Sequence, residues 1–109
     1  MERVALPLSN ESLDETVKVL KALADPTRLR LIQLLLETTP GKALCVNALA
    51  ARLKVSQPAV SQHLRILRGL DLVVPERRGY RVHYALNRRR LSDCWELVKK
   101  VLDLGDTVE

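Results

Sequence analysis

The sequence predicts a mainly helical domain that carries a small β-hairpin. Hydrophobic residues make up 47% of the 109-residue chain but aromatic residues only 3%, so the core must be built from Leu, Val, Ala and Ile. Apolar residues recur every three or four positions over most of the chain, which is helical spacing. Only the stretch 72–86 has the character of paired strands. We therefore expect about five helices and one hairpin.

A chain of this length is expected to fold as one domain, because two domains would each be too small to bury an adequate core. Charged residues make up 28% of the chain, a balance typical of globular proteins. No segment approaches the roughly 20 consecutive apolar residues of a membrane-spanning helix, and the first ten residues lack the features of a secretion signal. These features predict a cytoplasmic protein with no membrane partner.

The first two predicted helices lie on either side of an Asp-Pro pair. Residues 11–24 place apolar side chains at intervals of four, three and four. Proline disfavours helical backbone in the residue before it, so the pair ends this helix. It also begins the next one, with Asp25 as the N-cap and Pro26 at the first helical position, and Thr39-Pro40-Gly41 ends that helix. The predicted apolar stripes are Leu13, Val17, Leu20 and Ala24, then Leu29, Ile32, Leu35 and Leu36.

Two further helices are predicted close together. The third spans 43–53, preceded by one or two extended residues, and the fourth runs to about Arg68. Between them Lys54-Val55-Ser56 forms a tight turn, in which Ser56 caps the fourth helix. Gly69 is expected to let the chain turn. By the 100° that each residue advances around an α-helix, the apolar side of the fourth helix is Val60, Leu64 and Leu67, and another side is Gln57, Ser61, Arg65 and Arg68.

The hairpin and the last helix complete the chain. Residues 72–77 and 80–86 are β-like runs separated by Arg78-Gly79, which predicts a hairpin. His83 alternates with apolar neighbours on the second strand, so a solvent or dimer contact is expected there. The last helix spans 88–104 and is ended by Gly105. Its apolar stripe is Leu91, Trp95, Val98 and Leu102.

The charge is distributed unevenly along the chain, whose net charge is +5. Residues 1–51 carry six basic and six acidic groups, residues 52–90 carry ten and two, and residues 91–109 carry two and five. A basic block between neutral and acidic ends is typical of a nucleic-acid-binding surface. A solvated basic face with no partner is the alternative.

Two short helices, a three-residue turn and a hairpin with a basic tip describe a winged helix-turn-helix. Within one domain over 1–109, the helix-turn-helix spans about 43–69, the wing about 72–86 and the C-terminal helix about 88–104. The polar side of the fourth helix would enter the major groove, where Gln pairs with adenine, Arg with guanine and Ser with either. An ordinary solvated helix face is the alternative, and for His63 a packed side chain. The candidate DNA-binding residues are Ser56, Gln57, Ser61, Gln62, His63, Arg65, Arg68, Arg77, Arg78 and Arg81.

Three segments resemble the ArsR/SmtB family of bacterial repressors. They are LKALADPTRLRLIQLLLE, ALCVNALAARLKVSQPAVSQHLRILRGLDLVV and ERRGYRVHYAL, in the family's order and at its spacing over about residues 19–86. The resemblance implies a homodimer, joined through its first and last helices, that binds a palindromic operator in double-stranded DNA. Members typically release DNA when a metal ion, a metalloid or a thiol oxidant binds. The expected dimer interface is Leu91, Trp95, Val98 and Leu102.

The metal sites that this resemblance implies are incomplete in the sequence. The Cys-x-Cys position of the third helix is Cys45-Val46-Asn47, and residues 1–44 contain no cysteine, so three thiolates cannot gather there. The zinc site on the last helix needs Asp and His pairs, but 88–104 contains no His. We therefore expect no metal and no cofactor. Cys45 and Cys94 remain as a candidate thiol sensor; packed, inert thiols are the alternative.

These features predict a sequence-specific repressor that acts by occupying a promoter. An inducer that reacts with thiols is one form of the hypothesis, and a repressor without any metal inducer is another. A winged-helix module that binds protein or RNA is the rival from a different class. An enzyme is not expected, because the chain has no Ser-His-Asp spacing, no glycine-rich phosphate loop and only four glycines.

Overall fold

The computed structural model describes residues 10–38 and 43–102. This part of the chain forms five helices and three short strands, as the fold class predicts. The predicted helix ends at Thr39-Pro40-Gly41 and Gly105 lie outside the described residues. None of the helices in the described part is both long and apolar enough to cross a bilayer. The elements are α1 (Asn10–Leu23), α2 (Pro26–Glu37), β1 (Leu44–Cys45), α3 (Val46–Leu53), α4 (Gln57–Gly69), β2 (Val73–Arg78), β3 (Arg81–Leu86) and α5 (Arg88–Val101).

Both helix starts predicted from capping residues are confirmed. Asp25 is extended and its carboxylate accepts a hydrogen bond from the backbone N–H of Arg28 at 3.0 Å, with Pro26 in the first helical turn. Ser56 caps α4 in the same way, accepting from the N–H of Ala59 at 3.2 Å. The turn before it depends on Lys54, whose φ of 57° is left-handed. These caps satisfy amide groups that a helix start leaves without partners.

The core lies mainly between α2, α3 and α4, extends to the start of the hairpin, and includes Val19 of α1 and Cys94 of α5. The predicted apolar side of α4 is confirmed, since Val60, Leu64 and Leu67 are fully buried. Leu31 of α2 and Leu49 of α3 pack in the same cluster. Aliphatic side chains dominate this cluster, as the composition requires. The α4 helix is therefore packed into the core through one side, and its other side is exposed to solvent.

The apolar stripe predicted on α1 is not the side that packs into the core. The buried residues are Thr16, Val19 and Ala22, and the Thr16 hydroxyl donates to Ser12 O at 2.7 Å, which satisfies a polar group inside the core. Apolar residues occur on two sides of α1, and spacing alone does not tell which side meets the core. The residues of the predicted stripes that are exposed are Leu13, Val17, Leu20 and Ala24, together with Leu29 and Leu36 of α2.

The three strands form an antiparallel sheet in the order β1-β3-β2. The extended residues predicted before α3 are thus a strand, which pairs Cys45 with His83. Arg78 pairs with Arg81, so the hairpin turn is Gly79-Tyr80 and not Arg78-Gly79. Gly79 has a φ of +65°, which glycine adopts without steric cost. The helix-turn-helix of α3 and α4 and this hairpin form a winged helix-turn-helix.

The turn after α4 also differs from the sequence prediction. Gly69 is the last residue of α4 and is not the residue that redirects the chain. Asp71 has the left-handed backbone, with a φ of 60°, a conformation that aspartate tolerates better than most residues. The N–H groups of Asp71 and Leu72 then bond to Arg68 O and Leu67 O, which closes the helix end. This turn leads the chain directly into β2.

Candidate nucleic-acid interface

The exposed side of α4 carries mostly polar and cationic side chains and contains no carboxylate. Because the opposite side is fully buried, the backbone of the helix is held in one place and the outer side chains project into solvent. Within 10–38 and 43–102, no acidic side chain pairs with Arg65 or Arg68. Such a surface offers hydrogen-bond donors and positive charge together, which suits the edges of base pairs. Its exposed polar residues are Gln57, Ser61, Gln62, Arg65 and Arg68, while Pro58, Ile66 and Gly69 of the same helix are also exposed.

Two of the predicted contact residues on α4 have structural partners. The Ser56 oxygen accepts the capping hydrogen bond, although its hydroxyl proton is free to be donated outward. His63 is only 21% exposed and its Nδ1 lies 3.1 Å from Arg28 Nη1 and 3.9 Å from Asp25 Oδ2. These contacts favour a packed role for His63. Its contact with DNA stays a prediction.

The wing presents three arginines and one aromatic side chain. Arg77, Arg78 and Arg81 are exposed. Arg78 Nη2 lies 3.3 Å from Glu76 Oε2, so part of its charge is balanced on the wing itself. The Arg81 guanidinium lies 5.6 Å from the centre of the Tyr80 ring, and Tyr80 is 85% exposed. Sequence reasoning missed Tyr80, although its place directly after a hairpin glycine is the signal that could have identified it.

Part of the basic block serves the fold. Arg88 Nη2 donates to Leu36 O and Thr38 O, both at 3.0 Å, where α2 ends. Arg90 donates to Leu70 O at 2.9 Å and pairs with Glu15 at 2.7 Å. A guanidinium near carbonyls that a helix end leaves without partners is electrostatically favourable. These two arginines are therefore bonded within the protein, although Arg88 remains exposed, and the cationic residues of α4 and the wing are the ones considered for DNA contact.

A second surface, on α1 and α5, is apolar. The outward residues Leu13, Val17 and Leu20 of α1 continue onto α5 at Trp95, which is 56% exposed. A groove of about 320 Å³ between the two helices is almost entirely apolar. Contiguous exposed apolar area of this kind marks an interaction surface. The groove is lined by Val19, Leu20, Leu23, Leu91, Cys94, Trp95 and Val98, while Leu102 lies exposed at the end of α5.

The two cysteines are free thiols in different surroundings. Cys94 is 2% exposed and faces the α1/α5 groove, and burial raises the pKa of its thiol, an effect that the nearby Arg90 cation partly offsets. Cys45 is half-buried on β1 and lines a separate groove beside Tyr80 and Arg81. Buried thiols that hold their proton are poor nucleophiles. The geometry thus favours a packing role for Cys94 and leaves Cys45 as the more accessible thiol.

No metal-binding cluster is formed by the described residues, where His, Cys, Asp and Glu side chains never gather in groups of three that could hold an ion. His83 Nδ1 is buried and has no hydrogen-bond partner in this part of the chain. A single unpartnered nitrogen supplies one ligand, whereas zinc takes four.

Comparisons with known proteins agree with this geometry. The family model described as "Bacterial regulatory protein, arsR family" matches residues 25–74. The chain is 38% identical to a transcriptional repressor SmtB homolog of Synechocystis sp., over 91% of this chain and 72% of that protein. An ArsR-like transcriptional regulator from Rhodococcus sp. RHA1 has a TM-score of 0.71 at 25% identity, covering 85% of this chain and 84% of that one.

A further solved structure bears on assembly. It is the homodimeric winged helix-turn-helix DNA-binding domain of a possible ArsR-family transcriptional regulator from Mycobacterium bovis. Its TM-score is 0.66 at 26% identity, and the match covers 97% of this chain and 98% of that chain.

Proposed function

Because this chain belongs to the ArsR family of bacterial regulatory proteins, whose members are transcription regulators and not enzymes, we propose that it is a cytoplasmic repressor that binds a palindromic operator as a homodimer. The observation that carries the proposal is the exposed, carboxylate-free side of α4, set on an apolar side that is fully buried. Residues 1–109 act as one DNA-binding domain. Repression is occupancy of a promoter and requires no chemical step.

The proposal divides the interface into base contacts and phosphate contacts. Gln57, Ser61 and Arg65 meet base edges in the major groove, where each bidentate pair is worth roughly 1–3 kcal/mol of discrimination. Gln62 and Arg68 flank them on the same exposed side. The wing arginines meet mostly phosphates, which fix the register of the protein on the duplex without specifying sequence.

Dimerisation places two copies of α4 on one duplex. The exposed apolar side chains of α1 and α5 supply a surface whose natural cover is the same surface of a second copy, as in an isologous interface. Two identical α4 helices related by a two-fold axis match the two halves of a palindrome. The similarity to a homodimeric DNA-binding domain supports this arrangement.

The test compares Gln57→Ala with Arg78→Ala. DNA affinity is measured by fluorescence anisotropy on the operator and on random duplex DNA at several salt concentrations. Gln57→Ala should lose more affinity for the operator than for random DNA. Arg78→Ala should weaken both by similar factors and flatten the salt dependence by about one counterion per protomer. The unmodified chain on both duplexes is the reference.

The opposite pattern would reassign the two elements. If Arg78→Ala changed the ratio of operator affinity to random-DNA affinity and Gln57→Ala did not, the wing would carry the sequence specificity. Equal binding of the unmodified chain to operator and random DNA would contradict sequence-specific repression.

A further inference from the structure

One guanidinium joins three helices around the start of α2. Arg28 Nε donates to Ala22 O at 2.6 Å and Nη2 donates to Lys21 O at 3.4 Å, both carbonyls in the last turn of α1. Arg28 Nη1 lies 3.1 Å from His63 Nδ1 on α4. Arg28 thus links the end of α1, on which the proposed dimer interface lies, to the helix proposed to contact bases.

The contact between Arg28 and His63 defines the tautomer of the neutral imidazole. A guanidinium has only donors, so His63 Nδ1 must accept this hydrogen bond, and the proton of the neutral ring then resides on Nε2. The Asp25 carboxylate accepts from the backbone N–H of Arg28 at 3.0 Å, a capping bond that fixes the start of α2 and not the guanidinium. Asp25 Oδ2 is 3.9 Å from His63 Nδ1, beyond hydrogen-bond distance. Arg28 is therefore the partner that orients the ring.

Arginine is the residue type that this position needs. The last carbonyls of a helix carry partial negative charge and lack partners within the helix, so they attract a cation. A guanidinium presents five donors in a planar fork and can engage two carbonyls and an imidazole at once. A lysine ammonium is a point charge on a flexible stem, so it would keep the charge but not this set of directed contacts.

The contact adds a directional restraint on α4 to the one that core packing supplies. Val60, Leu64 and Leu67 are fully buried, so close packing already limits rotation of the helix, but aliphatic contacts have no preferred bond angle. A hydrogen bond weakens steeply when its angle changes. His63 follows Ser61 and Gln62 directly in the chain, so a bond that holds its ring also limits rotation of α4 about its axis.

We propose that Arg28 is a positioning residue for operator recognition. By holding His63 it restrains the rotation of α4 more closely than the packed apolar side does alone, and so sharpens how the outer side chains of α4 meet the base edges. The inference rests on the proposed function in one respect, that α4 is the helix that contacts bases.

The test uses four variants and a matched control. Arg28→Met removes the guanidinium, and Arg28→Lys keeps only its charge. His63→Leu removes the acceptor, whereas His63→Asn retains a carbonyl oxygen close to the position of Nδ1. Arg30→Met is the control, because Arg30 is an exposed arginine on the same helix and its loss changes the net charge equally. Operator and random-DNA affinities are measured for each, together with the ¹⁵N spectrum of the His63 ring.

Removal of the contact should reduce specificity. Arg28→Met and His63→Leu should each narrow the ratio of operator affinity to random-DNA affinity by about tenfold, the scale of one charge-assisted hydrogen bond. The affinity ratio of Arg28→Lys should be nearly as low as that of Arg28→Met. The ratio of His63→Asn should lie close to that of the unmodified chain. Arg30→Met should leave the ratio unchanged. The ¹⁵N spectrum of the unmodified chain should show the Nε2–H tautomer, and Arg28→Met should show a mixture.

Three results separate the possible failures. If Arg28→Met lowers the melting temperature but leaves the affinity ratio equal to that of Arg30→Met, the positioning role is overturned and Arg28 is only structural. If Arg28→Met does not fold, Arg28→Lys decides the question by the same ratio, because it keeps the charge, loses the directed contacts and leaves the candidate DNA-binding residue His63 in place. If the unmodified chain binds operator and random DNA equally, the proposed function itself fails, whereas an effect of Gln57→Ala on the ratio without an Arg28 or His63 effect overturns only this inference.

Discussion

Arg90 Nη2 of α5 donates to Glu15 Oε1 of α1 at 2.7 Å, which forms an ion pair between these two helices. The same guanidinium donates through Nε to Leu70 O, the C-cap of α4, at 2.9 Å. The Glu15 carboxylate raises the pKa of Arg90 further above its ordinary value, so the cation is permanent. One side chain thus connects the two helices of the apolar surface to the end of the helix proposed to contact DNA.

Glu15→Gln should lower the free energy of unfolding by about 0.5–1 kcal/mol. Both partners are partly exposed, with side-chain exposures of 44% for Glu15 and 26% for Arg90, so solvent screens the pair and a larger effect is not expected. Urea unfolding measures the change. Glu96→Gln, which removes a longer and more exposed contact to Lys99, is the control and should cost less. An equal cost for the two variants would contradict a structural role for Glu15.

Trp95→Ala should weaken dimerisation by at least about tenfold, because large aromatic residues at the centre of an interface carry much of its binding energy. Trp95 is 56% exposed and lines the apolar groove between α1 and α5. Sedimentation velocity across a concentration series measures the dimer dissociation constant. Leu29→Ala truncates an exposed apolar residue on α2 and is the matched control. A stable monomer of the unmodified chain at micromolar concentration would contradict the dimer.

Glu76→Gln should strengthen binding to operator and random DNA by similar factors, about threefold at low salt. The Glu76 carboxylate lies 3.3 Å from Arg78 and balances part of the charge that the wing offers to phosphates. Its neutralisation frees that arginine and removes repulsion from the DNA backbone, an effect that salt screens. Anisotropy titrations at two ionic strengths measure it. Glu96→Gln on α5 should leave affinity unchanged, and an unaltered or weaker Glu76→Gln would place the wing away from phosphates.

Cys94 should make the stability of the fold fall at alkaline pH. Burial raises the pKa of its thiol above the ordinary value of 9.0. The folded chain therefore keeps a proton that the unfolded chain releases, so this stabilisation is complete below about pH 9 and is lost as pH rises through the folded pKa. Urea unfolding from pH 7 to pH 10 should show a steeper loss for Cys45→Ala than for the Cys45→Ala, Cys94→Ala double variant. Parallel curves would show that Cys94 is not the group responsible.

Zn(II) at stoichiometric amounts should not release the operator, because the residues in 10–38 and 43–102 form no cluster that could hold the ion. An inducer that does act should be thiol-reactive and should depend chiefly on Cys45, the more accessible thiol. Anisotropy of a preformed operator complex, titrated with Zn(II), arsenite and peroxide, measures release. A Cys45→Ser, Cys94→Ser double variant that still responds fully would remove thiol sensing from consideration.

The helices, their starts and the buried side of α4 could be predicted from the sequence alone. Asp25 and Ser56 cap helices through hydrogen bonds to residues three positions away, so the neighbouring sequence is sufficient to identify them. The polar side of α4 is predicted from helical spacing in the same way, because the helix completes a turn about every 3.6 residues and α4 has 13 residues. Features of this kind depend on chemistry within a few residues of chain.

Only the tertiary structure decided the features that depend on contacts between distant segments. The pairing of Arg78 with Arg81 moved the hairpin turn by one residue, and packing chose Val19 rather than Leu20 for the buried side of α1. Arg88 and Arg90 belong to the basic block in the sequence, yet they bond to carbonyls 52 and 20 residues away. The contact between Arg28 and His63 spans 35 residues. A local sequence pattern indicates which kinds of group a side chain can bond to. The actual partner of that side chain is determined by which segments the folded core brings within about 3 Å of it.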